Sequence, residues 1–311
     1  MKTVNSPEYS RNYGFWNESE QEAIMSTKVA IAGVGGDGYQ LGLKLARMGI
    51  QEFFIADPEV FEPENSNRVP GATTSTYGMK KTDVFTRDIK DINPDAVVHV
   101  FDEGLNERNA DDFTANASMV FDESELTYLH VGTSLARAAR KHKIPDILVM
   151  NVGFAAQVTS FHPESNFTFE RFMGFSDQLA LEEISKLSVD FSRCLPYVPR
   201  YGDLSTLMAV KEGESLPSIA PGVDVASAIG ATEAFRHITS KLGNHRKKPV
   251  WAPRVRWMDA YDYSAGSTRF PRLSHYKRLA VAVTINLSGL NPEASYTPDA
   301  IKRRNSVVGN G

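Results

Sequence analysis

The chain has 311 residues, 41% of them hydrophobic, with a net charge of −4. That length buries a large core, in one domain or in a domain with an appendage, and the charge carries no basic excess to draw nucleic acid or an anionic membrane as partner. The single cysteine, Cys194, excludes a disulfide framework and a zinc site built from cysteine pairs, and it suits a reducing cytoplasm. The N-terminus, MKTVNSPEYSRNYG, lacks the apolar run of a signal peptide. No stretch approaches the roughly 20 apolar residues that cross a bilayer.

Short β-branched runs alternate with helical patterns through the first half. Lys28–Ala32 reads as a buried strand, Gly33–Gly38 as a turn, and Gln40–Met48 as a helix with Leu41, Leu45 and Met48 on one face. Glu52–Ala56 is a second strand. Lys81–Ile92 is a helix with Phe85, Ile89 and Ile92 stacked, stopped by Asn93-Pro94. Ala96–Phe101 and Ser118–Phe121 are strands, Thr133–His142 is helical, and Ile147–Asn151 is a further strand. This alternation predicts an α/β, Rossmann-like, mostly parallel sheet with helices on both faces. In the second half, Val158–Phe161 and Phe167–Phe172 read as antiparallel strands extending it. Asp177–Leu187 reads as a short helix, Cys194–Ser218 as a long crossing loop, the stretch from Pro221 as a helix, and Arg254–Asp259 as a late strand. The expected organisation is an arm over 1–27, a nucleotide-binding part over 28–153, a substrate-facing and dimerisation part over 154–290, and a loose tail from 291.

Gly33-Val-Gly35-Gly36-Asp-Gly38 follows a strand and opens a helix. Glycines let the backbone approach an anion, and the helix N-terminus offers free N–H donors and a favourable dipole. Asp57 lies 19 residues past Gly38, at the end of the second strand, where an acid can accept hydrogen bonds from ribose hydroxyls. To this point NAD and ATP fit equally well. Asp37 is out of place, because an acid beside phosphates repels them; its side chain is expected to point away.

Further signals decide between the two nucleotides. Tyr9-Ser10-Arg11 stands upstream, and Glu64-Asn65-Ser66-Asn67-Arg68 and Tyr77-Gly-Met-Lys-Lys81 stand downstream. With these, the sequence resembles the ThiF/MoeB/HesA family of ubiquitin-activating-like adenylyltransferases. That family shows an N-terminal arginine, a GxGGxG loop, an acid after the second strand, an NxNR segment and a Gly-x-x-Lys. The resemblance implies ATP and Mg²⁺ as cofactors, a homodimer, and activation of a carboxylate as an acyl-adenylate. It implies that Arg68 and Lys81 hold the triphosphate, and that Arg11 reaches the partner subunit's site. It also implies that Asp57 binds ribose, and that Asn65 or Asn67 sits beside the phosphates. Where the family has Asp-x-x-Asp, this chain has Asp122-Glu-Ser-Glu125, so Glu125 takes the metal position.

Two departures narrow the expectation. No CxxC pairs are present, so no zinc is expected, and Cys194 is the one candidate thioester nucleophile, although a lone cysteine is more often a small packed hydrophobe. Compact size and the aromatic run Phe167-Thr-Phe-Glu-Arg-Phe-Met173, read as an edge for strand addition, resemble the branch that tailors ribosomal peptides in microcin and pantocin biosynthesis. The expected partner is a peptide or small protein. The alternatives are an NAD-dependent oxidoreductase and a nucleotide-binding member without turnover.

Overall fold

The computed structural model describes residues 2–188, 197, 199, 201, 217–243 and 246–269. Their centre is one eight-stranded sheet. Strands β1 (Lys28–Ala32), β2 (Glu52–Ala56), β3 (Val97–Phe101), β4 (Met119–Asp122) and β5 (Asp146–Val152) run parallel. Strands β6 (Ala155–Phe161), β7 (Arg254–Asp259) and β8 (Ser264–Arg269) are antiparallel to their neighbours. The spatial order is β3-β2-β1-β4-β5-β6-β7-β8. The chain therefore moves outward from β1 to β3 and then crosses to β4 on β1's other side. This leaves a crevice at the strand C-termini, where α/β folds place ligands.

Alternation along β1 sorts the layers. Val29 and Ile31 enter one core with Leu41 and Leu45 of α2 (Gly36–Met48) and Val84, Phe85 and Ile89 of α3 (Lys81–Ile92). Ala30 and Ala32 face the other side, with Phe113 of α4 (Ala110–Thr114) and Leu135 and Ala139 of α5 (Leu129–Lys141). Each fully buried Leu or Phe in these layers contributes roughly 2–3 kcal/mol of hydrophobic stabilisation. In the arm, α1 (Glu18–Met25) opens with a capping box between Asn17 and Glu20. The buried Glu20 carboxylate also holds Arg246, at 2.6 and 2.7 Å.

The second half departs from expectation in three places. Phe167–Phe172 is not a strand; Phe169–Met173 forms helix α6, started by the Thr168 hydroxyl accepting from Arg171 N and ended by Gly174 at φ 96°. Phe169 and Phe172, three residues apart, both pack on Phe161. Buried Glu170 between them in sequence takes Arg137 and Arg140. The proposed edge for strand addition is thus interior. The helix expected over Asp177–Leu187 is a single turn, α7 (Leu181–Ile184). Strand β8 has the sequence Ser-Ala-Gly-Ser-Thr-Arg, without the apolar alternation that announces a strand. By contrast, the Pro221 helix is present as α8 (Ala220–Thr239), with proline in its first turn. Its small residues Gly222, Ala226, Gly230 and Ala234 allow close packing; a Cβ on Gly230 would lie 3.2 Å from Val149 and 3.3 Å from Leu41. Cys194 and the tail from Asn291 lie outside the described residues.

Candidate active site

The phosphate loop joins β1 to α2 at the crevice. Gly33 has φ 101°, and a Cβ there would stand 2.2 Å from the Glu123 carbonyl oxygen. A Cβ on Gly38 would stand 2.0 Å from the Gly33 carbonyl oxygen. These two glycines let the loop fold tightly on itself. Gly35 and Gly36 differ, because a cation is what borders each of them: Gly35 is otherwise unobstructed, while Gly36 lies between Arg68 and Val223. From their Cβ positions, Lys81 Nζ is 4.0 Å from Gly35, and Arg68 Nε is 3.6 Å from Gly36. The helix begins at Gly36 rather than after the loop, so the first N–H groups of α2 open into the same space. Val223 of α8 packs against Gly36 from the other side.

Asp57, at the end of β2, fastens this loop. One carboxylate oxygen accepts from Val34 N at 2.9 Å and the other from Glu59 N at 2.9 Å. Burial raises its pKa, while Lys81 pulls it down. Each oxygen retains acceptor capacity for a hydroxyl. Lys81 starts α3, is only 5% exposed, and pairs with the largely exposed Glu59 carboxylate. Arg68, just after the 3-10 turn Pro63–Asn67, donates to Glu64 O at 3.2 Å and to Asn67 Oδ1 at 2.8 Å. The structure thus gathers Gly33, Gly35, Gly36, Gly38, Asp57, Arg68 and Lys81 at one end of the parallel strands: an open backbone cradle with two cations in front.

A model of the ThiF family matches residues 9–277. The chain belongs to the ThiF family. This ThiF-family protein is similar to tRNA threonylcarbamoyladenosine dehydratase of Escherichia coli K12. The two are 24% identical over 264 residues, covering 78% of this chain and 96% of that enzyme. Its fold is similar to that of E. coli MccB solved with ATP, with TM-score 0.64, 18% identity, and 86% of this chain and 73% of that one covered. It is also similar to PaaA, with TM-score 0.61, 18% identity, and 88% and 77% covered. At those identities the two structures speak to fold alone. ThiF-family proteins are ATP-using, E1-like adenylyltransferases, and the cations facing Gly35 and Gly36 suit that chemistry.

The remaining predicted residues divide. Glu125 is exposed at the mouth of the ThiF-family site, within electrostatic reach of Glu59, Arg68 and Lys81. Loss of surrounding water and the charge of Glu59 raise its pKa, and the two cations oppose that. Among the described residues no group of three or more His, Cys, Asp or Glu converges as a metal cage. One carboxylate beside phosphate oxygens is, however, a normal provision for Mg²⁺. Asn65 is buried, and its Oδ1 accepts from Glu62 N at 3.0 Å, capping the 3-10 turn that presents Arg68. Asn67 stays exposed, donating to Ser218 O at 2.9 Å. Arg11 is exposed two residues past Tyr9, which packs beside Gly49 at the C-terminal end of α2. The 13-residue α2 measures about 20 Å, so Tyr9 packs at the end of α2 opposite the glycine loop. Among the described residues no helix is long and apolar enough to cross a membrane.

Asp37 does point away from the cradle. Its carboxylate accepts from Asn151 N at 3.1 Å and from Asn151 Nδ2 at 2.8 and 2.9 Å. Desolvation pushes its pKa up to about 7, against the pull of Asn151 and Arg68. Glu123 lies behind the loop as well, with Oε1 buried and without a hydrogen bond; burial, then Asp37 and Asp122, raise its pKa well above normal. Glu59, Glu123, Asn151 and Ser218 escaped sequence reasoning. Glu123 alone carried a signal, being the middle acid of a strand-end cluster.

Proposed function

We propose that this protein uses Mg·ATP to adenylate a carboxylate, releasing pyrophosphate. The observation that carries this reading is the pair of cations, Lys81 and Arg68, set beside Gly35 and Gly36 at a helix N-terminus. A carboxylate oxygen attacks the α-phosphorus, and the bond from that phosphorus to the bridging oxygen of the β-phosphate breaks. Pyrophosphate leaves with the electron pair. The nucleophile is already ionised, so no general base is required. The protein's task is to bring anions together and stabilise charge on the phosphate oxygens, which fixed cations and backbone N–H groups do. Lys81 leaves Glu59 for the phosphates, Arg68 grips them from the side of Gly36, and Asp57 accepts from ribose. Glu125 is the carboxylate that would hold Mg²⁺ beside the phosphates, and the ion would supply charge neutralisation there.

The carboxylate belongs to a larger substrate. A peptide is the first reading, supported by the likeness in fold to MccB, which has also been solved with MccA. A second rests on the relative matched over 96% of its length, whose name places it on threonylcarbamoyladenosine in tRNA. A threonylcarbamoyl group ends in a carboxylate, so the adenylation step is common to both.

Pyrophosphate–ATP exchange tests this. Short peptides with free C-termini and threonylcarbamoylated tRNA are the two probes. Exchange that depends on one of them, and falls by roughly 10²-fold or more in Lys81→Ala, supports the reading and selects the substrate class. Absence of ATP binding and exchange, with NAD bound instead, overturns it. Arg11 is proposed to act across a homodimer. Mixing inactive Arg11→Ala and Lys81→Ala subunits is expected to restore activity, because one site per mixed dimer regains both cations. No recovery despite subunit exchange removes the trans role.

A further inference from the structure

An acid in the first turn of a phosphate-binding helix works against its ligand unless it has other work. Asp37 is turned from the cradle onto Asn151, which gives it both the backbone N–H and the side-chain amide N–H. With its amide nitrogen committed, Asn151 has its oxygen facing Ser218, whose hydroxyl donates to Asn151 Oδ1 at 3.1 Å. The Ser218 carbonyl in turn accepts from Asn67 Nδ2 at 2.9 Å, and Asn67 Oδ1 accepts from Arg68 Nη1 at 2.8 Å. Every donor points the same way, from the arginine toward the aspartate, so a cation closes one end and the accepting oxygens of a carboxyl group the other. The neighbours fix the orientation of both amides: flipping either would set donor against donor or acceptor against acceptor. Within each asparagine amide, accepting at the oxygen strengthens donation from the nitrogen.

The chain of contacts ties together four segments distant in sequence: the first turn of α2, the end of β5, the residue just before the N-cap of α8, and the turn after β2. It ends on the arginine that stands 3.6 Å from the Cβ position of Gly36. We infer that Asp37, acting through Asn151, Ser218 and Asn67, is a positioning residue that aims Arg68 at the phosphate loop. This rests on the adenylation reading for what Arg68 grips. A long arginine side chain loses rotamer freedom when it grips a triphosphate. The relay places that loss in folding, before ATP arrives. It also gives Asn151 and Ser218 a part in nucleotide binding that their distance from the glycine loop in sequence conceals.

Two measurements on the full chain test the inference. The first is affinity for Mg·AMPCPP. Asp37→Leu and Asn151→Ala are each expected to weaken it about five- to tenfold, and Asp37→Leu is expected to add nothing in an Arg68→Ala background. The paired change Asp37→Asn with Asn151→Asp reverses the polarity at that step but keeps an amide against a carboxylate and an acceptor for Ser218. It is expected to restore affinity to within about twofold. The second measurement is exchange of the Arg68 Nε–H by ¹⁵N NMR without nucleotide, expected to be faster in Asp37→Leu and Asn151→Ala and slow again in the paired variant. Equal weakening by Asp37→Leu with and without Arg68, or Arg68 exchange unmoved by the substitutions, overturns the relay. If the wild type binds no nucleotide, the adenylation reading falls, and Arg68 exchange alone decides the relay. If Asp37→Leu does not fold, Asn151→Ala and the paired variant decide it by the same exchange readout.

Discussion

The front and the back of the phosphate loop carry opposite charge and obey different rules. In front, Lys81 stands beside Gly35 and Arg68 beside Gly36; Lys81 pairs with an exposed glutamate, and Arg68 donates to a carbonyl and an amide oxygen among its contacts. Behind, Asp37, Asp122 and Glu123 are packed against the same loop, with burial raising the pKa of each. Asp122 turns toward α5 and accepts from Ser124, Glu123 lies toward α2, and Asp37 is held by Asn151. The lesson is that loop charge alone does not decide whether an anion binds. The acids lie at the rear, Asp37 and Asp122 against their own donors, leaving the front positive.

The largest expected effect comes from pushing the back into the loop. In Gly33→Ala, a left-handed φ and a 2.2 Å approach to a backbone carbonyl combine. The cost is expected to reach roughly 3 kcal/mol or more, read as a lower denaturant midpoint, with nucleotide affinity lost alongside. An unchanged midpoint would mean that the loop is not closed by backbone contact.

Asp37→Asn probes the charge of the back by a smaller step. In the folded protein Asp37 holds its proton up to about pH 7, while the unfolded chain releases it near 3.8. Between those values folding takes up a proton, so wild-type stability falls as pH rises through the window and levels above it. Asparagine cannot titrate. The variant is therefore expected to gain on the wild type from pH 4.5 to pH 8, by on the order of 2 kcal/mol given that Arg68 and partial solvent access moderate the shift. Urea unfolding at the two pH values measures it. A constant difference would show that Glu123, the other acid facing Asp37, holds the proton instead.

The smallest effect is at the front. Glu59→Gln frees Lys81 from its exposed partner. Stability is expected to change by less than about 1 kcal/mol, with ATP affinity rising about two- to threefold. A fall in affinity would assign Glu59 to the ligand side of the site.

Much of the front was legible in the sequence, and little of the back. Gly33 to Gly38, Asp57, Arg68 and Lys81 are short-range signals: each sits at the end of a periodic element, and α3 begins at Lys81 as its apolar spacing predicts. The partners behind the loop come from β5 and from the approach to α8, joined only by the fold's crossover, and no local spacing connects Asp37 with Asn151 or Ser218. The antiparallel half was harder still. The aromatic run around Phe169 has strand-like residue types, but two local signals, the Thr168 cap and Gly174 terminator, made it a helix. In β8 a polar sequence became a strand because β7 offered it a hydrogen-bonding edge.

Helix α8 touches both ends of the molecule's business. Val223, in its first turn, rests on Gly36, and Phe235, near its C-terminal end, packs at a tilt against Trp16 of the arm that carries Arg11. Twelve residues of helix separate the two contacts, about 18 Å of stiff rod. One helix thus joins the phosphate loop to the arm, packed along its length on β5 and β6. A ligand seated against Gly36 would therefore lie at one end of the helix whose other end supports the arm.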